Sequence, residues 1–392
     1  MIIFFDATVV CQASDNILAR TGVWHIVCRL WESINYLRLC NNSTITEIIP
    51  FSLHDKYDIL EVEDINSGLA EIFASYYELH KDSRASRIAN IADLICRSPR
   101  GSLLFAPYGP IKDVLGLTSA CHVTTIHYIH DLIPIFRPEL CSSYSIKTAH
   151  NKMLEVSAGD VVLCNSRYTK DAFTVWWGSC ANQLILPRVE VLEPGNQLPQ
   201  SRVSAKYELC HDIRSIIAEK PYFLSLSTIE PRKNIVRMLH AFNLFRQRHK
   251  EANRVSLLLA GAEGWISDEE RTAIGFLCAN SNGGIIRLGY VDDVAAEILI
   301  ENTMSIIQVS LDEGYGLAVR AARAMGSACI CSSIPSLTDS FTDLDFYVDP
   351  YSVDSMAKGM HDAYLARGRR LPRFSRTWKD FAFELKVLLS RI

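Results

Sequence analysis

The sequence predicts an α/β protein of two domains, each built on a parallel sheet flanked by helices. The chain has 392 residues, enough for two domains that each bury a core. Short β-branched and apolar runs alternate with longer helical patterns, as in parallel sheets covered by helices. The alternation stops at a segment containing proline, glutamine and serine, residues 194–220, and then starts again. This segment is predicted to be the linker.

The first half is predicted to alternate strands with helices. Its strands are Ile2–Phe5, Ser102–Ala106, Val123–Ile129, Val161–Asn165 and Val189–Leu192. One helix is predicted over about 21–35 and another over 166–177. Ser166 is the expected N-cap of the second helix, because a serine oxygen can accept a hydrogen bond from the first helical turn.

The second half repeats this alternation more regularly, which predicts a doubly wound sheet. Its strands are Tyr222–Leu226, Val255–Ala260, Ile285–Leu288, Ser305–Val309 and Ala328–Cys331. Its helices are Ile235–Arg248, Asp268–Ala279, Ala295–Glu301 and Leu317–Met325. Ligands of such sheets bind beyond the carboxyl ends of the strands, so we expect the chemistry in loops that follow strands, at a cleft between the domains.

Composition excludes several classes of protein. The net charge of −4 gives no strong basic field for a nucleic acid. The apolar runs are far shorter than a membrane span, and Met1–Asp6 is predicted to be a strand rather than a signal peptide. The twelve cysteines show neither CxxC pairs nor Cys/His metal spacing. They indicate free thiols and a cytoplasmic protein.

The loop Ser227–Asn234 follows the first strand of the second half and places Arg232 and Lys233 where a helix begins. Positive side chains are unfavourable against the positive end of a helix dipole, which favours a phosphate ligand between them. The alternative is that both cations are merely solvated.

A second loop, Ser310–Val319, follows the strand Ser305–Val309 and contains Gly314-Tyr315-Gly316. Two glycines around an aromatic residue let a backbone approach a ligand closely, although such a pair is also typical of a tight turn. Because both loops follow strands of one predicted sheet, we expect them to face the same cleft.

In the first half, His130-Asp131 lies at the carboxyl end of a strand. We expect His130 to face the cleft and His127, on the same strand, to point to the opposite face. Asp131 either orients His130 or caps the turn. Asp6, at the end of the first strand, and Asp131 are candidate contacts for an acceptor.

Six stretches of the second half resemble, in order and spacing, motifs of the retaining glycosyltransferases of family 4, which have the GT-B fold. These stretches are Leu224–Asn234, Ala260–Gly261, Leu288–Val291, Glu313–Val319, Pro335–Asp339 and Val348–Pro350. Four stretches of the first half and one near the carboxyl terminus resemble further motifs. These are Arg20–Trp24, Thr125–Pro134, Asn165–Thr169, Glu193–Asn196 and Phe374–Lys379.

The resemblance implies a site for a nucleoside diphosphate sugar. Arg232 and Lys233 would hold the diphosphate, Glu313 would contact the sugar, and His130 would lie near the donor. The residues that would complete the donor site are Gly22, Thr228, Asn234, Gly314, Tyr315, Gly316 and Leu317. The reaction implied is front-face transfer of a sugar to an acceptor hydroxyl with retention of configuration, without a metal or other cofactor.

The resemblance also implies the domain organisation. Residues 1–200, with a carboxy-terminal helix over 374–392, would form the acceptor domain, and residues 215–373 the donor domain, two Rossmann-like domains facing a central cleft. The motifs are most familiar in bacterial mannosyl- and rhamnosyltransferases of surface polysaccharide assembly. That favours a GDP-mannose-like donor and a glycan or lipid-linked glycan acceptor. The protein would work in the cytoplasm. The basic residues among apolar ones in 80–100 indicate either peripheral contact with the inner face of the cytoplasmic membrane or a solvated helix face, and the solvated face is favoured.

One position departs from the family pattern. The second glutamate, which binds the nucleotide ribose, is Ala321 here. This leaves two alternatives, an altered grip on the donor or a degenerate relative that binds a nucleotide or glycan without catalysis. The retained cations and Glu313 favour the altered grip.

Overall fold

The computed structural model describes residues 1–7, 22–39, 44–51, 84–117, 121–180, 185–196, 217, 221–338, 345–368, 371, 373 and 375–392. The chain divides into two compact units. Unit 1 comprises Met1–Gly195 and Trp378–Ile392, and unit 2 comprises Asn196–Thr377. Most of the predicted linker lies outside the described residues, as do Arg20, Thr21, Asp339 and Phe374.

Unit 1 is built on six parallel strands in the order β2-β1-β3-β4-β5-β6. These are β1 Ile2–Asp6, β2 Glu47–Phe51, β3 Leu103–Ala106, β4 Thr124–Ile129, β5 Val161–Cys164 and β6 Arg188–Val191. The predicted strands form with small shifts at their ends. The sequence reasoning missed β2, which contains Pro50 and lies at an edge of the sheet, where proline is tolerated.

The helices of unit 1 that precede residue 195 follow these strands. They are α1 Gly22–Leu39, α2 Arg84–Arg97, α3 Lys112–Leu115, α4 Ile133–Phe136, α5 Ser143–Glu155 and α6 Arg167–Ser179. Ser166 caps α6 as predicted, since its Oγ accepts a hydrogen bond from the Thr169 amide at 3.1 Å. Buried Phe173 and Trp177 of α6 pack with Val162 of β5 in one core cluster.

Unit 2 is also built on six parallel strands, in the order β12-β11-β10-β7-β8-β9. These are β7 Tyr222–Leu226, β8 Ser256–Ala260, β9 Ile285–Gly289, β10 Ser305–Gln308, β11 Cys329–Ser332 and β12 Phe346–Val348. Only the short β12 was not predicted. Because β7 and β10 are neighbours at the centre of the sheet, the loops that follow them start side by side.

The helices of unit 2 bury apolar faces against this sheet. They are α7 Ile235–Arg248, α8 Asp268–Ala279, α9 Asp293–Asn302, α10 Leu317–Ala324, α11 Pro335–Thr338 and α12 Val353–Leu365. Phe242 and Phe245 of α7 share one core with Met356 and Met360 of α12. A second core includes Leu299 of α9 and residues of α10. Helices therefore seal both sides of the strands, as in doubly wound folds.

The last helix, α13 (Trp378–Leu389), belongs to unit 1. It packs against α1, and its Phe381 and Leu385 are fully buried. The Arg29 guanidinium lies over the Trp378 ring, 5.8 Å from its centroid. At Gly195 a Cβ atom would lie 2.7 Å from the same indole. The end of the segment Met1–Gly195 therefore packs directly against the start of α13.

Within the described ranges, the helices are too short or too polar to cross a bilayer. None of the nine described cysteines forms a disulfide, in line with the predicted free thiols.

Candidate functional site

The loops after β7 and β10 are joined by their backbones. The Leu311 amide donates a hydrogen bond to the Arg232 carbonyl at 2.8 Å. The Asn234 side-chain amide donates to the Val309 carbonyl at 3.0 Å. The residues singled out in the two loops therefore lie together, because their strands are neighbours and their loops share hydrogen bonds.

Arg232, Lys233 and Glu313 form one ion cluster at this strand end. Arg232 Nη1 lies 2.8 Å from Glu313 Oε2, and Lys233 Nζ lies 2.5 Å from Oε1. The exposed fractions of the three side chains are 18, 13 and 7%. Glu230 Oε1 also pairs with Arg232, at 2.6 Å. The cations are thus paired and mostly buried, unlike the solvated cations of the alternative considered for this loop.

Two further side chains hold Glu313, and the sequence reasoning missed both. Gln308 Nε2 donates to Glu313 Oε1 at 2.6 Å, and Ser310 Oγ donates to it at 2.7 Å. The available signal was a polar residue, Gln308, closing the apolar run of β10. Burial raises the pKa of Glu313, but the charges of Arg232 and Lys233, with the hydrogen bonds from Lys233 and Ser310, outweigh it and lower the pKa to about 2. Glu313 is therefore a carboxylate at neutral pH.

Asn234 shapes the loop that carries the cations. Its φ of +60° is left-handed, a conformation that asparagine tolerates better than most residues, and it separates the 3₁₀ turn Pro231–Lys233 from α7. Its side-chain amide donates to the carbonyls of Val309 and Pro350, at 3.0 and 2.7 Å. Both amide hydrogens are used on backbone, so Asn234 positions Arg232 and Lys233.

The Gly314–Leu317 segment forms the start of α10. Gly316 has a φ of +76°, and a Cβ atom there would lie 2.6 Å from Leu337, so the turn requires glycine. Tyr315 is buried, and its ring lies under the Arg320 guanidinium at 3.9 Å. Arg320 Nε donates to the Tyr315 carbonyl at 2.8 Å. The tyrosine side chain thus supports the turn from inside.

Thr228 lies in the same loop as the cations, beside a second close backbone approach. Gly261 has a φ of +147°, and a Cβ atom there would lie 2.0 Å from the Ser227 carbonyl oxygen. At Gly264 a Cβ atom would lie 2.7 Å from Thr228 Cγ2. The exit of β8 therefore packs tightly under the loop that carries Thr228, and only residues without a side chain fit there.

In unit 1, His130 follows β4 and is held by the loop after β3. Its Nε2 donates to the Pro107 carbonyl at 2.8 Å. Burial, together with the charge of Lys152, lowers the pKa of His130 to about 3. The ring is therefore neutral, and Nδ1 is the unprotonated nitrogen. Nδ1 is buried and has no hydrogen-bond partner among the described residues.

His127 has a different environment. It is fully buried within β4, and its Nε2 lies 3.3 Å from Asp160 Oδ2. Asp160 also accepts a hydrogen bond from Lys112 at 2.6 Å. Burial lowers the pKa of His127 despite this carboxylate. His127 therefore belongs to an internal polar network of unit 1.

The other candidates of unit 1 lie at element ends. Asp131 Oδ1 accepts a hydrogen bond from the Ile133 amide at 3.0 Å. This contact corresponds to the second role considered for Asp131, that of capping the turn. Asp6 is buried at the end of β1. Gly22 is the first residue of α1.

One group of described side chains has the composition of a metal site. His249, Glu251 and His361 of unit 2 have ligand atoms within 4.8 Å of one another. The two imidazole rings lie parallel, with centroids 3.6 Å apart. Lone pairs lie in the ring planes, so those of stacked rings do not converge on one ion. The two histidines therefore form a stacked pair of rings, and their arrangement does not suit the binding of one metal ion.

The comparisons with known proteins bear on both halves of the chain. Residues 210–375 match the sequence model for Glycosyl transferases group 1. Over 243 residues the chain is 27% identical to O-antigen chain mannosyltransferase B of Escherichia coli, a match that covers 60% of this chain and 59% of that protein. It is 25% identical over 244 residues to the serotype-specific mannosyltransferase WbdA of Escherichia coli, covering 61% of this chain and 29% of that one. The chain thus spans less than two thirds of the length of these relatives.

Solved structures match over the full length. Anabaena HepE, solved in complex with UDP and glucose, has a TM-score of 0.65 at 12% identity and covers 100% of both chains. Sucrose-phosphate synthase from Thermosynechococcus elongatus has a TM-score of 0.65 at 15% identity, covering 100% of this chain and 98% of that one. The predicted GT-B fold class and the predicted resemblance to bacterial glycosyltransferases are both confirmed.

Proposed function

We propose that this chain is a retaining glycosyltransferase that moves a hexose or deoxyhexose, with GDP-mannose the favoured donor, to an acceptor hydroxyl in bacterial surface polysaccharide assembly. The observation that carries the proposal is the buried Arg232–Lys233–Glu313 cluster, which lies at a strand end inside the segment that matches Glycosyl transferases group 1. The mannosyltransferases among the relatives support the donor and the process.

The cluster suits a leaving diphosphate. As the bond from the sugar C1 to the phosphate oxygen breaks, negative charge grows on that oxygen, and Arg232 and Lys233 would stabilise it. The acceptor oxygen bonds to C1 on the same face, and its proton passes to the leaving phosphate. Glu313, with a pKa of about 2, is ionised and donates no proton. Its proposed role is to hold the cations in place, and a direct contact with the sugar remains a prediction.

Cations and backbone supply the charge stabilisation in this proposal, so no metal or cofactor enters it. Thr228 and the turn Gly314–Leu317 would line the donor site at the same strand end. Unit 1 would bind the acceptor, a glycan or lipid-linked glycan, with Asp6 among its contacts. His130 would approach the transferred sugar and Gly22 the donor phosphates. The reaction would take place in the cytoplasm, at the inner face of the membrane when the acceptor is lipid-linked.

A second candidate function is binding of a nucleotide or glycan without catalysis. Ala321, in place of the family's ribose-binding glutamate, favours it. The residue is buried in α10, and a methyl group offers a ribose hydroxyl no hydrogen bond. Binding and turnover measurements separate the two functions.

The test is a thermal-shift screen with GDP, UDP, dTDP and ADP, followed by turnover with the matching sugar nucleotide. We expect one nucleotide, GDP by preference, to raise Tm. Arg232→Ala and Lys233→Ala should abolish that shift and cut turnover about 100-fold or more. Lys358→Ala, which breaks an exposed ion pair with Asp362, is the control and should behave as wild type. Binding without turnover would support the second function. No shift with any nucleotide, and an unchanged Arg232→Ala variant, would overturn the transferase function and nucleotide binding alike.

A further inference from the structure

Lys152 of α5 is a buried cation that the sequence reasoning did not single out. Its side chain points into unit 1, and the residue is 5% exposed. The ammonium group donates hydrogen bonds to three backbone carbonyls, those of Ala106, Tyr108 and Tyr128, at 3.3 Å for Ala106 and 2.8 Å for Tyr128. A lysine has three N–H donors, so all of them are used on backbone oxygens.

These carbonyls surround the hydrogen bond of His130. Ala106 ends β3 and Tyr108 lies two residues beyond it, so Lys152 holds the chain on either side of Pro107. The Pro107 carbonyl accepts the Nε2–H of His130. Tyr128 lies in β4, two residues before His130, and its ring packs edge-on against the imidazole at 5.1 Å. One ammonium group thus ties together both segments that set the orientation of His130.

The charge of Lys152 acts on His130 as well. Protonation of His130 would place a second positive charge beside this ammonium in a buried region, which is unfavourable in addition to the burial itself. The charge of Lys152 also acts on His127 of β4, whose pKa it helps to lower. Asp6 of β1 and Glu155 of α5 favour the charged form of Lys152. Burial outweighs them and lowers the pKa of Lys152 to about 7.

We propose that Lys152 is a positioning residue that locks His130 at the end of β4 and keeps its imidazole neutral, so that Nδ1 stays a hydrogen-bond acceptor. An acceptor at this atom can receive a hydrogen bond from a hydroxyl group, such as one on a sugar, whereas an imidazolium would only donate. The use of this acceptor in catalysis rests on the function proposed above. The effect of Lys152 on His130 does not.

The test is an NMR titration of protein labelled with ¹³C-histidine, in which His130→Gln identifies the His130 resonance. In the wild type we expect His130 to titrate well below 6.5. Lys152→Gln keeps side-chain donors but removes the charge, so the pKa of His130 should rise toward 6.5. Lys152→Arg restores the charge and should restore a low pKa. Lys147→Gln, on an exposed position of the same helix, should leave the His130 resonance unchanged.

A wild-type His130 that titrates near 6.5 would overturn the proposal even if the Lys152 variants failed to fold. An unchanged His130 pKa in a folded Lys152→Gln variant would overturn it as well. Turnover against pH is the separate test of function. If the acidic limb of the profile moves with the His130 pKa in Lys152→Gln, catalysis uses the neutral imidazole. If the His130 pKa moves and the profile does not, Lys152 keeps its positioning role and His130 loses its proposed role in transfer.

Discussion

The two units each bury positive charge at the carboxyl ends of parallel strands, but they compensate it differently. In unit 2, Arg232 and Lys233 are matched by the carboxylate of Glu313, with side-chain hydrogen bonds from Gln308 and Ser310. In unit 1, Lys152 is held by three backbone carbonyls, and the neighbouring His130 is neutral.

The difference indicates what each strand end is suited to do. A cation paired with a side chain can exchange that partner for an incoming anion, and a phosphate offers the same oxygen ligands as a carboxylate. Backbone carbonyls that belong to the fold are poor partners to exchange, so a cation bound to them fixes geometry. The cluster of unit 2 is thus suited to binding charge, and that of unit 1 to holding a neutral hydrogen-bonding group.

The largest expected effect is that of Glu313→Gln. This change leaves Arg232 and Lys233 mostly buried without their shared carboxylate, and breaking such a pair costs about 3 kcal/mol or more of unfolding free energy. Turnover should fall about 100-fold or more, because the cations lose their fixed position. Urea unfolding and sugar-transfer assays measure the two effects.

A matched control exists in the same unit. Glu263 also pairs with two arginines, Arg271 at 2.8 Å and Arg287 at 3.1 Å, but at the surface. Because water screens that pair, Glu263→Gln should change stability far less and leave turnover unchanged. Equal losses of unfolding free energy in the two variants would show that the buried Glu313 cluster stabilises the fold no more than the exposed Glu263 pairs do.

His130→Ala should have a smaller effect. The variant removes a neutral side chain, so no buried charge is left without a partner, and the fold should persist. Losing one hydrogen bond to substrate costs about 1–3 kcal/mol, or about 5- to 150-fold in turnover. His150→Ala, on the exposed side of α5, is the control for the assay. Turnover equal to the control would remove His130 from the proposed site.

The smallest expected effect is a difference in acid sensitivity. Both groups bind more protons when unfolded than when folded, so both lose stabilisation as pH falls. For His130 the loss runs from pH 6.5 down to about 3, and for Glu313 from about 4.5 down to about 2. Urea midpoints measured from pH 7 to 5 should therefore fall less in His130→Gln than in wild type. Glu313→Gln should reduce the pH dependence of the urea midpoint only below pH 4.5. An effect of Glu313→Gln between pH 7 and 5, with none of His130→Gln there, would contradict the comparison.

The strands of both sheets could be predicted because a buried parallel strand is a short, continuous run of apolar residues between two helical patterns. The strand Tyr222–Leu226 has the predicted bounds, and so does the helix that follows it, Ile235–Arg248. The strand Glu47–Phe51 escaped because Pro50 is expected to interrupt an internal strand, and only its edge position makes it compatible.

The site was predictable as a set of loops but not as a set of contacts. Motif order places Arg232, Lys233 and Glu313 after two strands of one sheet. The pairing of three charged side chains depends on the two loops sharing hydrogen bonds, which no local pattern encodes. The burial of Lys152 could not be predicted for a similar reason. Lys147 and Lys152 lie on the same amphipathic helix, and only the carbonyls of distant strands decide that the second one is buried.

The return of α13 to unit 1 has a consequence for the order of synthesis. Unit 2 is one uninterrupted stretch, so every residue of its sheet is available once Thr377 has left the ribosome. Unit 1 is discontinuous, and the surface of α1 that packs against α13 stays uncovered until this last helix emerges. During translation, unit 1 is therefore the first to be synthesised and the last to be completed. Its apolar surface on α1 stays exposed while unit 2 is synthesised.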